Sequence, residues 1–171
     1  MSDRPLVLVA DDEPALAELY TVWLAGYETR TVHDGDAAVA AFDGTVDAAV
    51  LDRRMPGRSG AEVLEHVRSR RPACPVAMVT ATDPDPEVAA LGFDEYLLKP
   101  ATREELRSLV ESLLALPMHD DERRRYRRLS RALSVLREAW TPARLSGHDL
   151  YVDLRAELEA LSAELDGRTA D

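Results

Sequence analysis

Apolar and polar positions alternate along the chain on two different periods. Five short apolar runs come first: "LVLVA" (6–10), "YETRTV" (27–32), "VDAAVLD" (46–52), "PVAMVTAT" (75–82) and "EYLLKP" (95–100). The second alternates; the others are close to continuous, as strands buried on both faces are. Between them the period lengthens to that of a helix. Pro14 suits a first helical turn, and Leu16, Leu19, Tyr20, Trp23 and Leu24 follow at helical spacing. Asp34 can cap a helix reaching about Phe42, "AEVLEHVRSR" (61–70) is amphipathic, and "PEVAALGF" leaves room for only about two turns. Thr102 and Glu105 form a capping-box pattern ahead of "LRSLVESLLAL". Five strand–helix alternations over residues 1–117 predict an α/β fold: a doubly wound, five-stranded parallel sheet covered on both faces.

Pro117 ends that pattern, and residues 118–171 read as a second unit. "HDDE" puts acid at the start of a new helix, where the dipole favours it. Tyr126, Leu129, Leu133, Leu136 and Trp140 recur at spacings of three and four, and Tyr151, Leu154, Leu158, Leu161 and Leu165 repeat the seam after "TPARLSG". Ser146 is placed to cap the second helix. Two narrow seams and a short connection predict an antiparallel helical hairpin. It must pack on the first unit or on a second copy, because two helices alone bury little surface.

Composition narrows the function classes. The net charge is −11, which disfavours nucleic acid or anionic lipid as a partner of the bulk surface. Twenty basic residues are arginine and one, Lys99, is lysine. Acid with arginine in place of lysine resembles proteins from salt-loving archaea, where strong salt screens self-repulsion. A single cysteine, Cys74, fits a reducing interior. No apolar run approaches membrane-spanning length and "MSDRP" is no signal peptide, so a soluble cytoplasmic protein is expected. His33, His66, His119 and His148 are scattered and lack partners at metal-ligand spacing.

Ligands of open parallel sheets sit at the carboxyl ends of the strands. Those ends carry Asp11 and Asp12, Asp52, Thr80 and Lys99. Three carboxylates on one rim repel one another, and a hard divalent cation such as Mg²⁺ relieves that repulsion. A carboxylate beside the cation can attack phosphorus and form an aspartyl-phosphate. A hydroxyl from Thr80 and the compact ammonium of Lys99 would meet the phosphoryl oxygens. Lysine suits such a crowded pocket because its charge is a point on a flexible stem, whereas arginine carries a broad fork. Asp12 can also be read as a helix cap, and Tyr96 as a packing residue.

"ADDEP" (10–14), "LDRRMPGRSG" (51–60), "MVTA" (78–81) and "YLLKP" (96–100) stand in the order and spacing of one family. Over about residues 5–116 the chain resembles the receiver domain of two-component response regulators. The resemblance implies a flavodoxin-like sheet and phosphorylation of Asp52 by a sensor histidine kinase. It implies Mg²⁺ held by Asp11, Asp12, Asp52 and the backbone carbonyl of Arg54, with Thr80 and Lys99 gripping the phosphoryl group and Tyr96 as an aromatic switch. The segment between Thr80 and Lys99 is about one helical turn shorter than the family leads one to expect. The second unit is similar to HalX, a helical module that follows receivers in haloarchaea, on its Tyr and Leu seams and closing "LDG" (165–167).

Three functions compete on these residues. The first is a phosphorylation switch whose helices signal through a protein partner or a homodimer. The second is a DNA-binding transcriptional regulator using "RRRYRRLSR" (123–131). Against it, that stretch reads as a solvated helix face, with Asp120–Arg124 and Asp121–Arg125 at the favourable four-residue offset, and no base-reading motif follows. The third is an aspartate-based phosphohydrolase, which would need a further acid or base beside Asp52.

Overall fold

A computed structural model describes residues 3–117 and 120–170; His119 lies outside them. The strands are β1 (Leu6–Ala10), β2 (Glu28–Val32), β3 (Ala48–Leu51), β4 (Val76–Thr80) and β5 (Glu95–Leu98). All pair in parallel, in the order β2-β1-β3-β4-β5. The helices between them are α1 (Pro14–Trp23), α2 (Gly35–Ala41), α3 (Gly60–Arg70), α4 (Pro86–Leu91) and α5 (Arg103–Leu114). Helices α1 and α5 pack against each other on one face, and α2, α3 and α4 follow one another on the other. The sheet is thus doubly wound, as the apolar runs predict.

Local chemistry sets the ends of these elements. Asp34 accepts from the Ala37 N–H at the start of α2, and Asp85 from the Val88 N–H at the start of α4. Ser59 with Glu62, and Thr102 with Glu105, form complete capping boxes at α3 and α5. The α4 helix is only six residues long. It ends at Gly92, whose φ of +84° suits a residue without a Cβ.

Three more helices follow: α6 (Asp121–Ala139), α7 (Pro142–Ser146) and α8 (Asp149–Thr169). Helices α6 and α8 pack along each other, and both lie on α4; α6 also meets β5, at the edge of the sheet. Leu129, Leu133, Leu136, Tyr151 and Leu154 are buried in the same core cluster as Leu8, Met78 and Phe93. The apolar seams therefore close on the first unit.

Two sequence expectations fail here. Ser146 does not cap the second long helix. It ends the intervening turn α7, which Thr141 caps, and the residue preceding α8 is His148, without a side-chain cap bond. The short connection between the two long helices is itself a helical turn. The arginine-rich stretch is not simply a solvated face either. Arg128 is buried, and Arg125 bonds Glu157 of α8 and the carbonyl of Ala90 rather than Asp121. Arg124 pairs with Asp121, three residues away.

Candidate functional site

Parallel pairing brings the carboxyl ends of β1, β3, β4 and β5 to one rim. Ala10 is in register with Leu51, so Asp11 and Asp52 leave neighbouring strands side by side, and the Asp52 N–H donates to the Ala10 carbonyl at 2.9 Å. Gly60 starts α3 directly against the backbone carbonyl of Asp52, where any Cβ would collide. On the other side the Lys99 N–H donates to the Thr80 carbonyl at 2.9 Å, and the Lys99–Pro100 peptide is cis.

Carboxylate oxygens of Asp11, Asp12 and Asp52 lie within 4.8 Å of one another. Asp11 and Asp52 are buried and Asp12 is exposed, so the trio opens to solvent on one side. The Asp11 carboxylate also accepts from the Glu13 N–H at 3.0 Å, which aims it across the rim. Glu13, not Asp12, is the N-cap of α1, and it makes no side-chain cap bond. Lys99 Nζ reaches Asp11 Oδ2 at 2.8 Å and Asp52 Oδ2 at 2.9 Å. Burial opposes the charge on Lys99, but its hydrogen bonds to Asp11 and Asp52 prevail and hold its pKa above the ordinary lysine value. One ammonium against three carboxylates leaves a local excess of two negative charges.

Such an oxygen-only, acidic, half-open site has the donor chemistry of a magnesium site. Asp11, Asp12 and Asp52 could hold the ion. Arg54 stands two residues past Asp52 in the loop before α3, and its side chain is exposed.

Thr80 is buried at the end of β4, and its hydroxyl oxygen accepts from the Thr82 N–H at 3.3 Å. Tyr96 is buried against Phe93, with ring centroids 5.2 Å apart, and its hydroxyl donates to the Thr82 carbonyl at 2.5 Å. Arg53, next to Asp52, donates to the Asp83 carbonyl at 3.0 Å and pairs with Asp85 at 2.8 Å. No local sequence signal marks this, because the partners lie thirty residues on.

Among the described residues no histidine joins the acid cluster. His66 packs edge-on against Phe42, His148 packs against Trp140 and lies 3.5 Å from Glu87, and the exposed His33 ring lies 3.2 Å from the backbone carbonyl of Asp11.

A second charged constellation lies at the opposite rim, ahead of β5. The Asp94 carboxylate is fully buried. It accepts from Arg68 at 2.9 Å, Arg127 at 2.9 Å, Arg128 at 3.0 Å and the Val76 N–H at 2.8 Å. Arg68 also donates to the carbonyls of Gly92 and Cys74. Burial and the neighbouring Arg128 lower the Arg68 pKa to about 10, and Asp94 only partly offsets them. Two of the three arginines come from α6, so this joint fastens the C-terminal helices to the sheet.

Residues 7–111 match the family model described as the response regulator receiver domain. A Haloferax volcanii protein described as "Putative transcriptional regulator" is 40% identical over 161 residues, covering 93% of this chain and 28% of that protein. The sensory transduction protein RegX3 of Mycobacterium tuberculosis is 37% identical over 121 residues, 67% of this chain and 53% of that one. The chain thus spans about half, or less, of these relatives' length. Among solved structures, the response regulator TrrA of Thermotoga maritima in complex with Mg²⁺ and BeF superposes with a TM-score of 0.60. It is 34% identical, and the match covers 64% of this chain and 99% of that one. No helix among the described residues is long and apolar enough to cross a membrane.

Proposed function

The chain belongs to the response regulator receiver family, and from that premise we propose that it is a phosphorylation switch working on Asp52. One observation carries the reading: Lys99 Nζ stands 2.9 Å from the Asp52 carboxylate, beside a trio of acidic oxygens within 4.8 Å of one another. A magnesium ion held by Asp11, Asp12, Asp52 and the backbone carbonyl of Arg54 would neutralise charge on the phosphoryl oxygens. The Asp52 oxygen attacks the phosphorus of a phosphohistidine on a sensor histidine kinase. The new O–P bond forms as the P–N bond breaks, and the imidazole leaves. Lys99 follows the transferred charge, exchanging its bond to Asp52 for one to a phosphoryl oxygen. Thr80 donates its hydroxyl proton to another, and Tyr96 responds as the segment after Thr80 moves. The reaction is one turnover on the protein itself, in the cytoplasm.

The C-terminal helices are the output. Their composition and seams fit a HalX-like unit over residues 118–171, and the 161-residue match to the Haloferax protein runs through them. A protein partner or a second copy of the chain fits better than DNA as their target. Arg127 and Arg128, which a DNA contact would need, are engaged with Asp94. The names of the relatives point to transcription as the process served, and a longer chain could add DNA contacts beyond these residues.

The experiment is to mix the protein with acetyl phosphate and Mg²⁺ and to measure intact mass and association state. We expect a gain of one phosphoryl group that disappears on chelation of the metal and in Asp52→Ala. A gain that persists in Asp52→Ala overturns the assignment.

A further inference from the structure

We propose that a cavity beside the Asp94 joint binds a phosphate group, and that the bound anion clamps α6 onto the first unit. The site needs neither Mg²⁺ nor Asp52, so it stands apart from the phosphorylation reading above.

The carboxylate of Asp94 is saturated. A carboxylate offers about four acceptor positions. Oδ1 accepts from Arg127 and Arg128, and Oδ2 accepts from Arg68 and the Val76 N–H. Guanidinium donors are left over. Arg127 Nη1 and Arg128 Nη2 are buried, and neither has a hydrogen-bond partner among the described residues. A buried, charged donor without an acceptor is costly. Asp94 has no position left for them, so their acceptor has to come from outside this network.

Arg127 lines a cavity of about 240 Å³, together with Arg71 at the end of α3 and Arg124 one turn earlier on α6. Arg71 has no carboxylate partner among the described residues; its Nη1 donates to the carbonyls of Asp43 and Val46. Arg124 pairs with Asp121. One acid, Asp47, also lines the cavity, and its carboxylate accepts from the Leu6 N–H at 2.7 Å. At this corner Arg68, Arg71, Arg124, Arg127 and Arg128 are balanced only by Asp47, Asp94 and Asp121. Two positive charges are in excess, in a chain whose net charge is −11. A doubly charged oxyanion matches that excess. Phosphate also presents oxygens in several directions, so planar guanidinium forks from different elements can each meet one. Leu113 and Leu116 form an apolar wall of the same cavity, against which the body of a phosphate monoester could rest.

The cavity is built from both parts of the chain. Arg71, Leu113 and Leu116 belong to the helices of the first unit, and Arg124 and Arg127 belong to α6. The full set of donors exists only while α6 is docked. An anion held there binds the docked arrangement alone and stabilises it by mass action.

The test uses the full chain with EDTA present, so that no cation draws phosphate to the acid rim. Inorganic phosphate is titrated at an ionic strength held constant with potassium chloride, and amide chemical shifts are followed. Saturable shifts should map to residues 71–75, 113–117 and 124–127, and Asp52→Ala should bind phosphate as the wild type does. Arg127→Lys keeps a charge for Asp94 and loses the fork; it should weaken binding about tenfold, the low end for a charge-assisted hydrogen bond. At a hundredfold excess over its Kd, phosphate should slow amide exchange at buried Leu133 and Leu136 of the wild type by up to about a hundredfold. Butyl phosphate carries the same head on an apolar tail: tighter binding than inorganic phosphate identifies the occupant as a monoester, and weaker binding identifies it as the free ion. Shifts confined to the acid rim, no saturable shift, an equal response to chloride alone, or unchanged binding in Arg127→Lys overturns the site. Saturable binding that leaves exchange in α6 unchanged overturns the clamp. None of these outcomes bears on the phosphorylation reading, which fails separately if the protein gains no phosphoryl mass.

Discussion

The two rims of the sheet carry opposite charge imbalances. At the carboxyl ends, three carboxylates face one ammonium; at the amino ends, three guanidinium groups face the single carboxylate of Asp94. Each constellation is two charges from neutral, yet they are built for different ends. The acidic one is open to solvent through exposed Asp12. The basic one is closed, and backbone carbonyls of Gly92 and Cys74 take up part of what Asp94 cannot. An exposed imbalance is a binding site waiting for counter-charge, whereas a buried one fixes two parts of a chain together. Geometry and solvent access separate the two roles; residue type alone does not.

The comparison breaks most visibly at Asp94. Asp94→Asn leaves three arginines facing a neutral amide, and it should cost about 3–5 kcal/mol of stability in a denaturant titration, the usual result of breaking a buried ion network. A loss below about 1 kcal/mol would mean that the joint is ornamental. Mg²⁺ should sharpen the contrast. At a hundredfold excess over its Kd it stabilises the protein by about 2.7 kcal/mol through binding to the folded state alone. Asp11→Asn should abolish that gain, and Asp94→Asn should retain it.

A comparable effect comes from Tyr20, whose buried hydroxyl has no hydrogen-bond partner among the described residues. Burial, opposed by Lys99 and reinforced by Asp11 and Asp52, raises its pKa to about 12. The unfolded chain releases this proton near pH 10 and the folded protein near 12. Stability therefore falls as pH climbs through that window, by roughly 2–3 kcal/mol. Tyr20→Phe should remove that slope in alkaline denaturation. The smallest effect is at the periphery of the joint. Arg125→Ala, which breaks a half-exposed pair with Glu157, should cost about 1 kcal/mol or less in the same denaturant assay.

Much of the fold is legible because parallel strands buried on both faces must be apolar throughout. "LVLVA" and "PVAMVTAT" announce themselves, and the topology then carries Asp11, Asp52 and Lys99 to one rim. The meeting of these three needed only the positions where the runs end. The Asp94 joint was not legible. Its partners lie 26, 33 and 34 residues away, and no periodicity links them. The arginine-rich stretch looked solvated because four-residue pairings within a helix are the only ones a sequence displays. Arg125 chose Glu157 on another helix, and Arg127 and Arg128 turned inward. Ser146 misled for a related reason: a capping residue marks a helix boundary, and the short α7 supplied one that the spacing of the long helices did not require. Tyr96 could be placed on its element, but its grip on the segment after β4 depends on how close two distant parts of the chain approach.

The central claim is that the phosphoryl group lands on Asp52 and on no other acid of the rim. Borohydride reduces an acyl phosphate to an alcohol, which marks the modified side chain permanently. After treatment with acetyl phosphate and Mg²⁺, peptide mass spectrometry should find the reduced side chain at position 52 alone. A reduced side chain at Asp11 or Asp12, or none in a protein that has gained phosphoryl mass, would contradict the account.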